Sequence, residues 1–254
     1  MLLTMDVGNT NIKIALFDGT AITNSWRVAT DIRKTSDEYG LIMRSLFHSS
    51  GLELDMVERI IYSSVVPPIN FTIEHMCRDY FHHTPLLMST KLNTGITYCY
   101  ENPKELGSDR IANAIAAYTI YGGPCIFIDF GTATTFGVMS GDGAFLGGCI
   151  CAGIKLTSEA IVSGTAKLPR FELIMPENVI GRTTIANLQS GILYGYVGQI
   201  EYIVRKIKEE IGNPDTRVVA TGGMSRIVAD ASDVIDVIEP ALTLKGLQIV
   251  STLN

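Results

Sequence analysis

"MDVGNTNIKIALFDG" (5–19) and "IFIDFGTATTFGVMSGDG" (126–143) carry one pattern twice: an apolar run, an aspartate, a glycine, a second apolar run and a tight turn. Asp6 matches Asp129, Gly8 matches Gly131 and Asn9 matches Thr132 at a constant offset of 123 residues, nearly half the chain. Asp18-Gly19 and Gly141-Asp142-Gly143 read as hairpin turns, and a third run follows each, "ITNSWRVAT" (22–30) and "AFLGGCICA" (144–152). Each copy is therefore expected to be an antiparallel block of three strands.

After each block the apolar spacing changes to helices alternating with short strands. The first half reads as a helix over 36–50, a strand over 59–66, a helix over 68–81, a strand near 85–89 and a helix over 108–121. The second reads as helices over 153–163 and 184–211, a strand over 217–222, a helix from 224, a strand near 234–238 and a final helix over 240–252. The fold class is α/β: two similar domains, 1–122 and 123–254, joined near Gly122-Gly123-Pro124, with a cleft between them. The 184–211 helix carries Gly191, Gly195 and Gly198, each costing roughly 1 kcal/mol of helix propensity relative to alanine. Such a stripe suits close packing, either against this chain's own sheet or against a second subunit.

Of the 254 residues 46% are hydrophobic, ample for a sizeable core. The net charge of -6 and the lack of any Lys/Arg block argue against nucleic acid and anionic membrane as partners. No signal peptide is evident, and the most apolar stretch, 111–130, is broken by Asn113, Gly122, Gly123, Pro124 and Asp129. Five cysteines, an odd number, fit reduced thiols in a cytoplasm, and no CxxC or HxxxH spacing marks a zinc site.

A strand junction with a glycine exposes backbone N–H groups that suit phosphate oxygens, and a carboxylate beside it can hold Mg2+ directly or through water. Repeated, the pattern makes two jaws for one anionic ligand, with Asp6 on one and Asp129 on the other. Lys13 on the first jaw could reach a bound phosphate, or be a solvated strand lysine; at the same offset the second copy has Phe136. In "VVATGGM" (218–224), Gly222 and Gly223 could let a flat adenine or ribose lie on the backbone, or simply make a tight turn.

The order DVGNTN, IDFGTATT, TGG resembles the phosphate-1, phosphate-2 and adenosine motifs of the sugar-kinase, heat-shock-chaperone and actin superfamily. Within it, "YENPKELGSDRIANA" (100–114) and "GRTTIANLQSGI" (181–192) are similar to type III pantothenate kinases. The resemblance covers essentially the whole chain. It implies two ribonuclease-H-like, actin-like ATPase-type domains with a central nucleotide cleft, and ATP-dependent phosphorylation of pantothenate to 4'-phosphopantothenate, the first step toward coenzyme A. Carried onto this chain, Asp6, Val7, Gly8, Asn9, Thr10, Asn11, Ile12 and Lys13 would bind ATP phosphates with Thr132. Asp129 would hold a monovalent cation, K+ or NH4+, beside the Mg2+ that accompanies ATP. Tyr100, Gly107, Ser108, Asp109, Arg110 and Thr184 would line the pantothenate site, with Asp109 accepting the hydroxyl proton and Arg110 able to clamp the substrate carboxylate. The family is dimeric, which favours the glycine-striped helix as an interface. Two departures stand out: Ala152 where proline is expected before Gly153, and Gly181-Arg182-Thr183 where a lysine-asparagine pair more often precedes the threonine.

Local sequence makes Ser108 a helix N-cap and places Asp109 in the first turn, where the macrodipole favours an ionised, weakly basic carboxylate. That suffices for phosphoryl transfer through a loose transition state, where the proton leaves late. The rival readings are a non-catalytic ATP-binding regulator on the same fold, which would not need Asp109, and a kinase of another small alcohol such as a sugar.

Overall fold

The computed structural model describes all 254 residues. The chain divides into two compact units, Met1–Thr119 with Ala241–Asn254, and Ile120–Pro240.

The first unit opens with strands β1 (Leu2–Val7), β2 (Asn11–Asp18) and β3 (Ala21–Ala29). Helix α1 (Ser36–Ser49), strand β4 (Arg59–Ser64), helix α2 (Asn70–Phe81), the short strands β5 (Leu86–Leu87) and β6 (Thr97–Tyr98), and helix α3 (Ser108–Tyr121) follow. Its sheet runs β3-β2-β1-β4-β5: β1–β2 and β2–β3 are antiparallel, whereas β4 joins β1 in parallel and β5 joins β4 likewise. The central strand β1, "LLTMDV", turns Leu3, Met5 and Val7 to one face, where all three are buried, and Leu2, Thr4 and Asp6 to the other, where Thr4 and Asp6 are buried as well. At the edge, β3 alternates between half-buried and exposed. Helix α1 begins with a capping box, Thr35 accepting from the Glu38 N–H while the Glu38 carboxylate accepts from the Thr35 N–H.

The second unit repeats the plan with β7 (Cys125–Phe130), β8 (Ala133–Met139), β9 (Ala144–Ala152), helices α4 (Ile154–Ser163) and α5 (Thr184–Ile211), strand β10 (Arg217–Thr221), helix α6 (Ser225–Ala229) and strand β11 (Val237–Ile238). Its strands run β11-β10-β7-β8-β9, with β7–β8 and β8–β9 antiparallel and β10 parallel to both β7 and β11. Strand for strand this is the order of the first unit, so the internal repeat read from the aspartate-glycine motifs is a repeat of topology. Each unit is a ribonuclease-H-like α/β domain.

The last helix, α7 (Leu242–Leu253), departs from the simple halving of the chain at 122/123. It belongs to the first unit. Thr243 donates to the buried Asn113 side chain, Gln248 to the Gly19 carbonyl, and a Cβ at Gly246 would lie 1.9 Å from the Ala112 carbonyl oxygen, so α7 and α3 touch backbone to backbone there. The boundary between the units falls in the last turn of α3, slightly before Gly122.

Candidate active site

Asp6 is the penultimate residue of the central strand of the first unit. In the β1–β2 ladder it stands opposite Lys13, whose Nζ lies 3.6 Å from one carboxylate oxygen. In the β1–β4 ladder it stands beside Ser63, whose hydroxyl donates to the other oxygen at 2.8 Å. Only 8% of Asp6 is exposed, so both partners are needed to hold a charge there. The turn that follows is closed by the Gly8 N–H donating to the Asn11 carbonyl at 3.1 Å, and Thr30 donates to the Gly8 carbonyl at 2.7 Å. Asn9 and Thr10 are exposed at its tip. Val7 and Ile12 bury their side chains in the core, which leaves only their main chain for a ligand.

Asp109 reaches the same place from another element. Ser108 is the first residue of α3, and its hydroxyl does not cap that helix as local sequence suggested. Its Oγ accepts from the Ser64 N–H at 2.9 Å and donates to the Ser64 carbonyl at 3.1 Å. The Asp109 carboxylate accepts from the Arg110 N–H at 2.8 Å and folds over Gly107, where a Cβ would lie 2.5 Å from Oδ1. Burial pushes the Asp109 carboxyl above the usual carboxylate range, the nearby negative charge of Asp6 adds to this, and the Arg110 N–H and guanidinium oppose it. The easily ionised carboxylate expected from the helix end is therefore overturned: desolvation outweighs the macrodipole. Arg110 is 7% exposed, and Tyr100 is half-buried in the loop before α3.

Asp129, Thr132 and Thr184 lie in the second unit. Asp129 occupies in β7 the position that Asp6 has in β1, but it faces Thr135 across the ladder, and Phe136 pairs one position further with Ile128. The expected Lys13–Phe136 equivalence fails because the second turn is one residue shorter, the Gly131 N–H donating to Ala133 where Gly8 donates to Asn11. Thr132 is exposed at the turn, its carbonyl accepting from the Gly153 N–H at 3.1 Å. A Cβ at Gly153 would lie 2.3 Å from that carbonyl oxygen, so the start of α4 rests directly on the turn. Thr184 is the exposed first residue of α5, which Thr183 caps by accepting from the Ala186 N–H.

Of the paired glycines after β10, Gly222 has φ +92° and would place a Cβ 2.6 Å from the Phe130 backbone, whereas nothing lies within 4 Å of a Cβ on Gly223. Gly222 is thus a packing requirement. The residues that sequence reading missed are Ser63 and Ser64; their signal was two consecutive hydroxyls ending the otherwise apolar strand "RIIYSSVV". The chain contains no group of three or more His, Cys, Asp or Glu placed to hold a metal ion, and no helix is long and apolar enough to cross a membrane.

Among solved structures, a conserved Campylobacter jejuni protein assigned to the Baf family of transcriptional activators is 18% identical with a TM-score of 0.64, over 98% of this chain and 97% of that one. Component A of (R)-2-hydroxyglutaryl-CoA dehydratase from Acidaminococcus fermentans is 14% identical with a TM-score of 0.55, over 97% and 94%. The inorganic polyphosphate/ATP-glucomannokinase of an Arthrobacter strain is 12% identical with a TM-score of 0.50, over 100% and 99%. At these identities the likeness is one of fold. The sequence model of the type III pantothenate kinases matches residues 2–206, and on that match the chain belongs to the type III pantothenate kinase family.

Proposed function

We propose that Asp109 is the proton acceptor in phosphoryl transfer from ATP to pantothenate, with Asp6, Lys13 and the Gly8–Asn11 turn on the ATP phosphates. The family activity is phosphorylation of pantothenate, the first step of coenzyme A biosynthesis, and this chain is a kinase acting on an alcohol acceptor. The hydroxyl oxygen of pantothenate forms the new bond to the γ-phosphorus, the bond to the ADP oxygen breaks, and the hydroxyl proton passes to a carboxylate. The observation that carries the assignment is the pair Asp6 and Asp109, two carboxylates from separate elements close enough for the charge of one to raise the pKa of the other. A like-charge pair with Asp6 buried and Asp109 half-buried costs stability and has no use in a regulator that binds nucleotide alone. The raised pKa also makes Asp109 a better base than an ordinary surface aspartate, while positioning supplies much of the rate.

The donor set suits Mg2+, which uses one or two carboxylates and takes its other ligands from phosphates and water; Asp6 would hold it. When bound, the ion neutralises charge on the phosphates. Asp129, a carboxylate whose Oδ1 lies 3.7 Å from where a Cβ on Gly131 would stand, would hold K+ or NH4+. Thr132 would contact phosphate on that side, and Tyr100, Gly107, Arg110 and Thr184 would line the pantothenate site. Cytoplasmic residence suits the ATP substrate and the five free cysteines.

We also propose a homodimer built on α5. Cβ atoms on Gly191, Gly195 and Gly198 would meet nothing within 4 Å, so the stripe is open to a second copy and not spent on this chain's own packing. Gly195→Glu is expected to give a monomer in sedimentation velocity, and an unchanged boundary would remove α5 from the interface.

The decisive assay supplies purified protein with MgATP, K+ and pantothenate and follows ADP release. Turnover is expected with pantothenate and not with glucose. Failure of pantothenate to stimulate ADP release would end the assignment.

A further inference from the structure

The Ser108 hydroxyl is committed at both ends. Oγ accepts from the Ser64 N–H at 2.9 Å and donates to the Ser64 carbonyl at 3.1 Å, which uses its donor and one of its two acceptor positions. The residue is 9% exposed. The contact spans 44 positions of sequence and ties the first residue of α3 to the last residue of β4. The neighbouring residue of β4, Ser63, fixes the Asp6 carboxylate, and the neighbouring residue of α3 is Asp109. One strand end thus references both carboxylates. A helix N-terminus lacks internal partners for its first N–H groups and frays readily, so an anchor there has mechanical consequence.

We propose that Ser108 is a positioning residue, a hydroxyl clamp between α3 and β4 that sets where the Asp109 carboxylate stands relative to Asp6, and not a contact to pantothenate. The inference rests on the kinase reading only in taking Asp109 as the proton acceptor.

The test compares Ser108→Thr, which keeps the hydroxyl, with Ser108→Val, which has nearly the same shape without it; Ser108→Ala substitutes if the valine variant does not fold. Two readouts are taken on each full-length protein. The first is hydrogen exchange at the Ser64 amide, which the clamp protects. The second is kcat and both KM values for pantothenate-dependent ADP release. The expected result is Ser64 protection and kcat near wild type in Ser108→Thr. In Ser108→Val, protection is lost and kcat falls roughly 10- to 100-fold. Both KM values stay within about twofold, since the Ser108 hydroxyl spends its donor on the Ser64 carbonyl and not on a substrate. Equal Ser64 exchange in the two variants, equal kcat, or a loss expressed in pantothenate KM would overturn the clamp. A wild-type protein without pantothenate turnover would instead overturn the kinase reading, with Ser64 exchange still reporting whether the hydroxyl anchors α3.

Discussion

At the scale of single residues, Asp109 is held where burial and the charge of Asp6 oppose its ionisation. Because the Asp109 pKa is raised, the native state holds its proton more tightly than the unfolded chain does. Stability from this group is present at acid pH and is lost as pH rises through the folded value. At neutral pH the ionised group is therefore a cost. Asp109→Asn is expected to abolish pantothenate-dependent ADP release and to raise the thermal midpoint at neutral pH, with a flatter dependence of stability on acid pH. The acid limb of the kcat/KM profile is expected above that of an ordinary aspartate, about 3.9. A limb at or below that value would remove Asp109 as the base. Gly107→Ala puts a Cβ 2.5 Å from the Asp109 carboxylate and is expected to lower kcat in the same assay. Arg110→Ala is expected to raise the pantothenate KM tenfold or more, at about 1.5–3 kcal/mol for a lost charged hydrogen bond.

At the scale of elements, two positions show how backbone geometry constrains side chains. His82 caps α2 in the left-handed region, φ 60°, a conformation that disfavours any residue with a Cβ. His82→Gly is expected to stabilise the protein by about 1 kcal/mol in urea denaturation, with kinetic constants unchanged. Gly222 is the opposite case, since its positive φ coincides with contact on the Phe130 backbone, the residue after Asp129. Gly222→Ala is expected to cost about 2–3 kcal/mol or more in the same measurement.

At the scale of the molecule, the final helix joins the strands laid down first. Leu242, Leu244, Leu247 and Val250 of α7 are buried, and each such side chain contributes about 1.5–3 kcal/mol. Together they rival the whole net stability of a typical domain, about 5–15 kcal/mol. Deletion of residues 241–254 is expected to leave the first unit without a cooperative thermal transition, although every candidate site residue remains in the chain. A sharp transition in the truncated protein would show that α7 is dispensable.

The repeat of aspartate and glycine at a spacing of 123, with apolar runs and turn residues around it, was enough to reveal two α/β halves and most helix and strand positions. These are local matters, decided by periodicity and turn chemistry. The pairing of Lys13 with Asp6 was legible only as a possibility, and the offset that matched the aspartates misassigned Phe136 once the second turn came out one residue shorter. Three features depended on tertiary structure: the return of α7 to the first unit, the clamp of Ser108 on Ser64, and the direction of the Asp109 pKa. Each is set by groups far apart in sequence meeting in a buried place, where desolvation and neighbouring charge override what the flanking residues prefer.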